Sequence, residues 1–116
     1  MGFNINYKFD DGIALVFVEG EIDMFTSPNL RDTLLPWYSP ETDAIIVDLS
    51  GVRFMDSSGI ATLVEGLQWS TKEDRKFILT GLGKTVFNAL SLTKLTHIFS
   101  IEKSIDHALA GLGRKG

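Results

Sequence analysis

Apolar and polar residues alternate along the first ten positions of the chain. Apolar side chains fall at every second position from Phe3 to Phe9, with polar residues between them. This period of two predicts a half-buried strand at the edge of a sheet. The turn Asp10-Asp11-Gly12 separates it from an apolar run at Ile13–Val18, which predicts a second strand nearer the centre. The two strands are expected to form an antiparallel hairpin, after which residues 19–23 leave the sheet as an acidic loop.

Strand and helix patterns alternate through the rest of the chain. Apolar runs at Ala44–Asp48, Lys76–Thr80 and His97–Ile101 predict three more strands, the first of them central and parallel to a neighbour. Four segments with apolar residues at helical spacing predict four helices. Their apolar positions are Leu30, Leu34 and Trp37; Ile60, Leu63, Val64 and Leu67; Val86, Phe87 and Leu90; and Ile105, Ala108, Leu109 and Leu112. The sequence therefore predicts one α/β domain over residues 1–116, a mixed, mostly parallel β-sheet with helices packed on it in the order β-β-α-β-α-β-α-β-α.

Capping residues and prolines predict where several helices begin and end. Ser27-Pro28 suggests a helix with Ser27 as the N-cap and proline at the first helical position. Pro36 should kink or end that helix near Leu35. Ser104 is predicted to cap the last helix.

The stretch Arg53–Ile60 links the third strand to a helix predicted at about Ser58–Thr71, and it is the strongest candidate for a functional site. It contains Asp56-Ser57-Ser58, small polar residues that accept hydrogen bonds from the first N–H groups of a helix. A Ser57 hydroxyl placed there faces the positive end of the helix, which suits an added anion. Capping alone would also explain the pattern, and on spacing it is the commoner role. Of the two serines, Ser58 is nearer the helix and is predicted to be the cap.

The composition fits a globular domain and excludes several kinds of site. Hydrophobic residues make up 44% of the chain and charged residues 22%. There is no cysteine, which excludes disulfides, thiolate metal sites and cysteine nucleophiles. No basic N-terminal stretch precedes a long apolar one, and no apolar run approaches the ~20 residues that cross a bilayer. We therefore expect a cytoplasmic protein without direct membrane insertion.

The charge distribution argues against nucleic acid as a partner. The net charge is −4, and the basic residues are scattered, whereas neutralising phosphates requires clustered Lys and Arg. Arg114 and Lys115 make a local basic end, at a terminus that is expected to fray.

Gly81–Thr85 resembles a nucleotide-binding loop only superficially. The phosphate-loop pattern needs a glycine at position 78, which is Ile78, and the dinucleotide pattern needs one at position 86, which is Val86. A turn between strand and helix explains these glycines better. We expect the isolated chain to bind neither ATP nor GTP with functional affinity.

Enzymatic chemistry also has weak support in the sequence. Ser57 lies outside a Gly-x-Ser-x-Gly sequence, and His97 and His107 are the only histidines. Glu19, Glu21 and Asp23 could suggest acid–base work or a cation, but their spacing matches no calcium loop. A solvated rim or a partner-facing loop accounts better for these three acids.

Gly20-Glu21-Ile22-Asp23 followed by Phe54-Met55-Asp56-Ser57-Ser58-Gly59 resembles the STAS domain, and in particular the bacterial anti-sigma factor antagonists. The resemblance extends over nearly the whole chain. It implies a partner-switching protein whose unmodified form binds an anti-sigma factor that is also a serine kinase, so that the sigma factor is released. The kinase would phosphorylate Ser57 and end binding, and a PP2C-type phosphatase would restore it. ATP and magnesium would belong to the kinase, so no cofactor is expected here.

The same resemblance implies which residues form the partner-binding surface. They are Glu21, Asp23, Met55, Asp56, Ser57, Ser58 and Gly59. Ile60 stands where the family commonly has leucine, a volume-conserving exchange that should be harmless. The main alternative is a STAS subunit that docks constitutively in another assembly, such as a lipid-transport ABC complex or a signalling scaffold. A hydrolase with Ser57 as its nucleophile is a distant third.

Overall fold

A computed structural model describes residues 2–114 of the chain. Its strands and helices are β1 Phe3–Asp10, β2 Ile13–Ile22, α1 Ser27–Leu34, β3 Ala44–Met55, α2 Ser57–Glu73, β4 Lys76–Thr80, α3 Lys84–Leu92, β5 Ser100–Glu102 and α4 Ile105–Gly111. A short 3₁₀ turn, Leu35–Trp37, follows α1. This order confirms the predicted alternation of strands and helices.

The five strands form one mixed sheet in the order β1-β2-β3-β4-β5. β1 pairs with β2 in antiparallel orientation, and the other three pairings are parallel. Because each parallel pair needs a crossover, α1, α2 and α3 connect β2 to β5 across one face of the sheet. Apolar residues of these three helices share a core with alternate residues of the central strands, such as Ile45 and Val47. α4 covers the other face, where Ala108 packs with Ile46 and Ile78.

β2 and β3 are both longer than the sequence analysis predicted. The segment expected to leave the sheet as an acidic loop continues β2 to Ile22, and β3 continues from Asp48 to Met55. Register shifts between Phe17 and Glu19 and again between Gly20 and Glu21 keep the two strands paired. Gly20 makes this possible because its φ of +103° lies in the left-handed region, which side chains disfavour.

β5 is shorter than predicted and begins at Ser100 instead of His97. The backbone N–H groups of Ile98 and Phe99 donate to the carbonyl of Leu95, at 3.0 and 3.3 Å. These N–H groups are therefore used in a turn and cannot join the sheet. The apolar character of this segment reflects the burial of Phe99 in the core.

The beginning of α1 also differs from the prediction, whereas its end agrees with it. Thr26 is the N-cap, and Ser27 is the first helical residue and is buried. The cap moves because the backbone N–H groups of Thr26 and Ser27 both donate to the carbonyl of Asp23. α1 ends at Leu34, and Pro36 lies in the 3₁₀ turn that follows, as expected.

Arg114 is held to the body of the domain, contrary to the expectation of a frayed end. Its guanidinium donates to the carbonyl of Asp11 at 2.7 Å and forms ion pairs with the carboxylates of Asp11 and Asp43. Lys115, the other member of the predicted basic pair, lies outside the described residues.

Replacing Gly66 should show how closely α2 lies on the sheet. A Cβ at Gly66 would overlap the ring of Phe77 on β4, and that ring is buried and cannot move aside. We expect Gly66→Val to lower the free energy of unfolding by about 2 kcal/mol or more. Gly111→Val on α4 is the control, since nothing lies within 4 Å of that Cβ. Equal urea midpoints for the two variants would contradict this account of the packing.

Candidate functional site

The carboxyl ends of β2 and β3 and the first turn of α2 meet at one edge of the sheet. Ile22 pairs with Met55, and the backbone N–H of Asp56 donates to the carbonyl of Ile22 at 3.0 Å. Beyond this point one chain segment turns into the loop before α1, and the other enters α2. The pairing thus brings together the two sequence segments that were singled out as functional candidates.

Asp56 is the N-cap of α2, a role that the sequence analysis assigned to Ser58. Its backbone is extended, with φ −100° and ψ −172°, and its Oδ1 accepts from the N–H groups of Ser58 at 2.9 Å and Gly59 at 3.4 Å. The Ser58 hydroxyl also donates to the same oxygen. Ser58 therefore supports the capping carboxylate instead of replacing it.

These contacts favour the ionised form of the Asp56 carboxyl group. The hydrogen bond from the Ser58 hydroxyl is the main cause that lowers its pKa, and the backbone N–H groups of Ser58, Gly59 and Met24 add to the effect. Partial burial acts in the opposite direction but is outweighed. A carboxylate is thus fixed at the N-terminus of α2 at neutral pH.

Ser57 is the first residue of α2, and its side chain is exposed. Among residues 2–114, no hydrogen bond engages its hydroxyl, because Asp56 already caps the helix. Ser58 differs in being half buried and in donating to Asp56. The two adjacent serines are therefore unequal, and only the Ser57 hydroxyl is both accessible and placed at the positive end of the helix.

Glu21 and Asp23, the acidic residues predicted for the site from the segment after Gly20, have different roles in the structure. Oδ1 of Asp23 accepts from the backbone N–H groups of Phe25 at 2.9 Å and Thr26 at 3.1 Å, so this carboxylate shapes the loop before α1. The Thr26 hydroxyl donates to the carbonyl of Glu21 at 2.8 Å and closes the loop. The side chain of Glu21 itself is exposed. Glu21 is available to a partner, whereas Asp23 is occupied within the chain.

Met55 and Gly59 lie beneath this surface. Met55 is 3% exposed, and Gly59 is also buried. A Cβ on Gly59 would lie 2.6 Å from Cγ2 of Ile22 and 2.7 Å from Cγ of Met55, so only glycine allows the first turn of α2 to rest directly on the two strands. These two residues position the site from below.

Three exposed apolar residues at this edge were not predicted from the sequence to belong to the site. Met24 is 68% exposed and Phe25 81%, in the loop that follows β2, and Phe54 on β3 is 43% exposed. The available clue was that Met24 and Phe25 precede a helix start without belonging to its apolar stripe. This edge of the sheet is therefore apolar as well as acidic.

The histidines are not brought to Ser57. Strands β3 to β5 run parallel, so His97, which precedes β5, belongs to the opposite, amino edge of the sheet. His107 lies on α4, where its Nδ1 is 2.7 Å from the Ser104 hydroxyl. In residues 2–114, His, Asp and Glu form no group of three or more suited to a metal ion. None of the helices in that range is both long and apolar enough to cross a membrane.

The charge of Asp56 should make stability depend on pH. Because its pKa is lowered by folding, the ionised carboxylate stabilises the native state fully above its unfolded pKa of about 4. Asp56→Asn keeps a capping side chain but removes its charge. We expect it to lower the free energy of unfolding by about 0.3–1 kcal/mol at neutral pH. Solvent screening favours the lower value.

The difference in unfolding free energy between the wild type and Asp56→Asn should disappear as the pH falls through the lowered pKa that Asp56 has in the folded protein, because the carboxyl group then becomes neutral. Urea unfolding of both proteins, from neutral pH down to about pH 2, measures it. A gap between the proteins that stays constant with pH would show that the charge of Asp56 is not its source.

Comparison with known proteins identifies the family to which this fold belongs. The STAS domain family model matches residues 4–108. The chain belongs to the STAS domain family. This STAS protein is 29% identical over 96 residues to the anti-sigma-B factor antagonist of Listeria monocytogenes, a match that covers 83% of each chain. It is 28% identical to an anti-sigma factor antagonist from Mycobacterium paratuberculosis, whose crystal structure superposes with a TM-score of 0.81 over 97% of this chain and 95% of that one.

The fold also matches that of the anti-sigma factor antagonist SpoIIAA. Its unphosphorylated form gives a TM-score of 0.78 at 17% identity, with 97% of each chain covered. The phosphorylated form, from Bacillus, gives 0.72 at 16% identity, with 96% of the STAS protein and 99% of SpoIIAA covered. At this level of identity the likeness shows a common fold.

Proposed function

We propose that this STAS protein is an anti-sigma factor antagonist in a partner-switching pathway. Its unphosphorylated form binds an anti-sigma factor with serine kinase activity and thereby frees the sigma factor, and phosphorylation of Ser57 abolishes binding. The relatives named as antagonists support the role. The solved unphosphorylated and phosphorylated forms of SpoIIAA support a switch of this kind in a protein with the same fold.

The exposed hydroxyl of Ser57 is the observation that carries the proposal. This hydroxyl lies at the first residue of α2 and is exposed, so a kinase can reach it. It is not needed to cap the helix, because Asp56 does so. A phosphoryl group there adds about −1.5 to −2 charge and three strong acceptors. The N-terminus of α2 tolerates this anion within the domain itself.

The effect of that anion on a complex is the opposite. A partner packed closely over Ser57 would have to take the phosphate out of water, which is costly unless a basic group faces it. The edge already carries the carboxylates of Glu21 and Asp56. Modification therefore breaks the complex while both proteins remain folded.

The chemistry of the switch lies in the partners. The kinase supplies ATP and magnesium, and a PP2C-type phosphatase removes the phosphate, so the STAS protein is a substrate and a binding protein without a cofactor of its own. A hydrolytic role for Ser57 is disfavoured by the positions of the histidines, at the opposite edge and on the other face of the sheet.

Phosphorylation mapping tests the proposal directly. The protein is incubated with ATP and with each anti-sigma factor serine kinase of its host, and the modified residue is located by mass spectrometry. We expect one phosphate, on Ser57, and we expect Ser58→Ala to remain a substrate because Ser58 only supports the cap. Phosphate on Ser58 would reverse the roles assigned to the serines. Stable binding that phosphorylation does not change would favour a constitutive docking subunit.

A further inference from the structure

Two consecutive apolar residues in the loop that follows β2 are largely exposed to solvent. Met24 is 68% exposed and Phe25 81%. Single exposed apolar residues are ordinary on protein surfaces, but two large neighbours at a candidate binding site form a patch that a partner would cover. Phenylalanine and methionine are also enriched at the cores of protein interfaces.

The loop that carries this pair is held in one conformation. Besides the contacts of the Asp23 carboxylate, the N–H of Asp23 donates to the Thr26 hydroxyl at 2.9 Å, and the N–H of Ser27 donates to the carbonyl of Asp23 at 2.8 Å. An interface residue on a preorganised loop loses little conformational entropy on binding. Met24 and Phe25 are thus presented to solvent by a fixed turn.

The loop that carries Met24 and Phe25 lies next to the start of α2 in space. The backbone N–H of Met24 is one of the groups that lower the pKa of Asp56, so it faces the carboxylate that caps the helix of Ser57. The Ile22–Met55 pairing directly below fixes the relative position of the two segments. The Met24–Phe25 loop and the start of α2 therefore belong to one continuous surface, which a single partner can cover.

The charges around the pair indicate the chemistry of the surface that fits it. The segment from Glu19 to Ser27 contains three acidic residues and no basic one, and the Glu21 carboxylate is exposed. Complementarity calls for an apolar recess with a lysine or arginine at the rim, near Glu21. Opposite Ser57 itself, a basic group would favour the phosphorylated form and defeat the switch.

We propose that Met24 and Phe25 anchor the complex by inserting into an apolar recess of the anti-sigma factor, with a basic rim facing Glu21. This inference rests on the proposed function and assigns separate roles to the two parts of the site. The apolar pair supplies the affinity, and Ser57 controls whether that affinity can be realised.

The test compares two equally exposed apolar residues. Phe25→Ser removes the anchor, and Leu92→Ser is its matched control, because Leu92 is 86% exposed and ends α3, the helix that runs away from the edge carrying Ser57. The affinity of each variant for the host's purified anti-sigma factor kinase is measured by calorimetry without ATP. We expect Phe25→Ser to weaken binding about 30-fold or more and Leu92→Ser to bind as the wild type does. Neither should change the thermal midpoint.

Two further variants distinguish a failure of the proposed anchor from a failure of the proposed function. Ser57→Asp reports on the switch itself, and Glu21→Lys, which reverses the rim charge, should slow association. If the wild type binds, Ser57→Asp does not, and Phe25→Ser binds like Leu92→Ser, then the anchor is wrong while the proposed function stands. If the wild type binds none of the host's anti-sigma factor kinases, the proposed function and the anchor are both overturned. An association rate unchanged in Glu21→Lys would remove the basic rim from the proposal.

Discussion

Ser57→Ala should yield a protein that binds the anti-sigma factor with nearly wild-type affinity and cannot be switched off. The substitution removes the acceptor hydroxyl, which is exposed and engages no neighbour within residues 2–114, and it adds no charge. The variant should therefore resist phosphorylation and leave the sigma factor constitutively free. Calorimetry with the kinase, before and after incubation with ATP, measures both properties.

Ser57→Asp should have the opposite effect on binding and little effect on the fold. It adds one negative charge, less than a phosphate carries, so it mimics the modified state incompletely. Binding should weaken at least about tenfold, which corresponds to ~1.4 kcal/mol of lost interaction. Its thermal midpoint should match that of the wild type, because a carboxylate at the first residue of α2 meets the favourable end of the helix.

The two substitutions together decide whether the site is a switch. Equal affinities for wild type, Ser57→Ala and Ser57→Asp would contradict the proposal that Ser57 controls binding, and would favour a subunit that docks constitutively. Unfolding of Ser57→Asp would mean that the Ser57 side chain is buried, which would contradict the exposed position on which the proposal depends.

Gly59→Val should disturb the site from below. A side chain there would push against Ile22 and Met55, which are both buried in the core, so the first turn of α2 must lift away from the strands. We expect a loss of about 1–3 kcal/mol of unfolding free energy. Partner affinity and the rate of Ser57 phosphorylation should fall as well, because Asp56 and Ser57 move with the turn.

Gly66→Val is the matched control for Gly59→Val. It overpacks the same face of the same helix, but about two turns further along and against Phe77. Both variants should lose stability, as urea unfolding would show, whereas only Gly59→Val should lose affinity at temperatures where both are folded. Equal loss of affinity in the two variants would show that general destabilisation, and not the position of the first turn, is responsible.

Periodicity predicted the type and order of every strand and helix, but the ends of β2 and β3 were missed. Past Val18, the residues Gly20 and Ile22 are buried while Glu19 and Glu21 are exposed, so the period of two does continue. A glycine between two acids has the composition of a loop, however, and that composition outweighed the pattern. The bulges that keep these strands paired depend on the partner strand, and Gly20, which marks them in the sequence, was interpreted as a loop residue.

The site was predicted in part. The segment around Ser57 was located from its polar residues between a strand and a helix, but the choice between Asp56 and Ser58 as the cap depends on the extended backbone of Asp56. Met24 and Phe25 could not be placed beside Ser57, because that neighbourhood comes from the pairing of β2 with β3 across some 30 residues of chain. Contacts of this range are set by the whole fold.

β3 extends well past β4, since the last pair between them is Asp48 with Thr80 while β3 continues to Met55. Ser57 thus stands at the tip of a projection of β2 and β3 that β1 accompanies as far as Gly20, outside the part of the sheet where β4 and β5 pair. Substitutions at the tip leave the hydrogen bonds of that wider part untouched. Related domains can therefore diverge in partner choice at this projection while keeping one scaffold, and a new specificity can be built there by changing the loop after Ile22 and the first turn of α2.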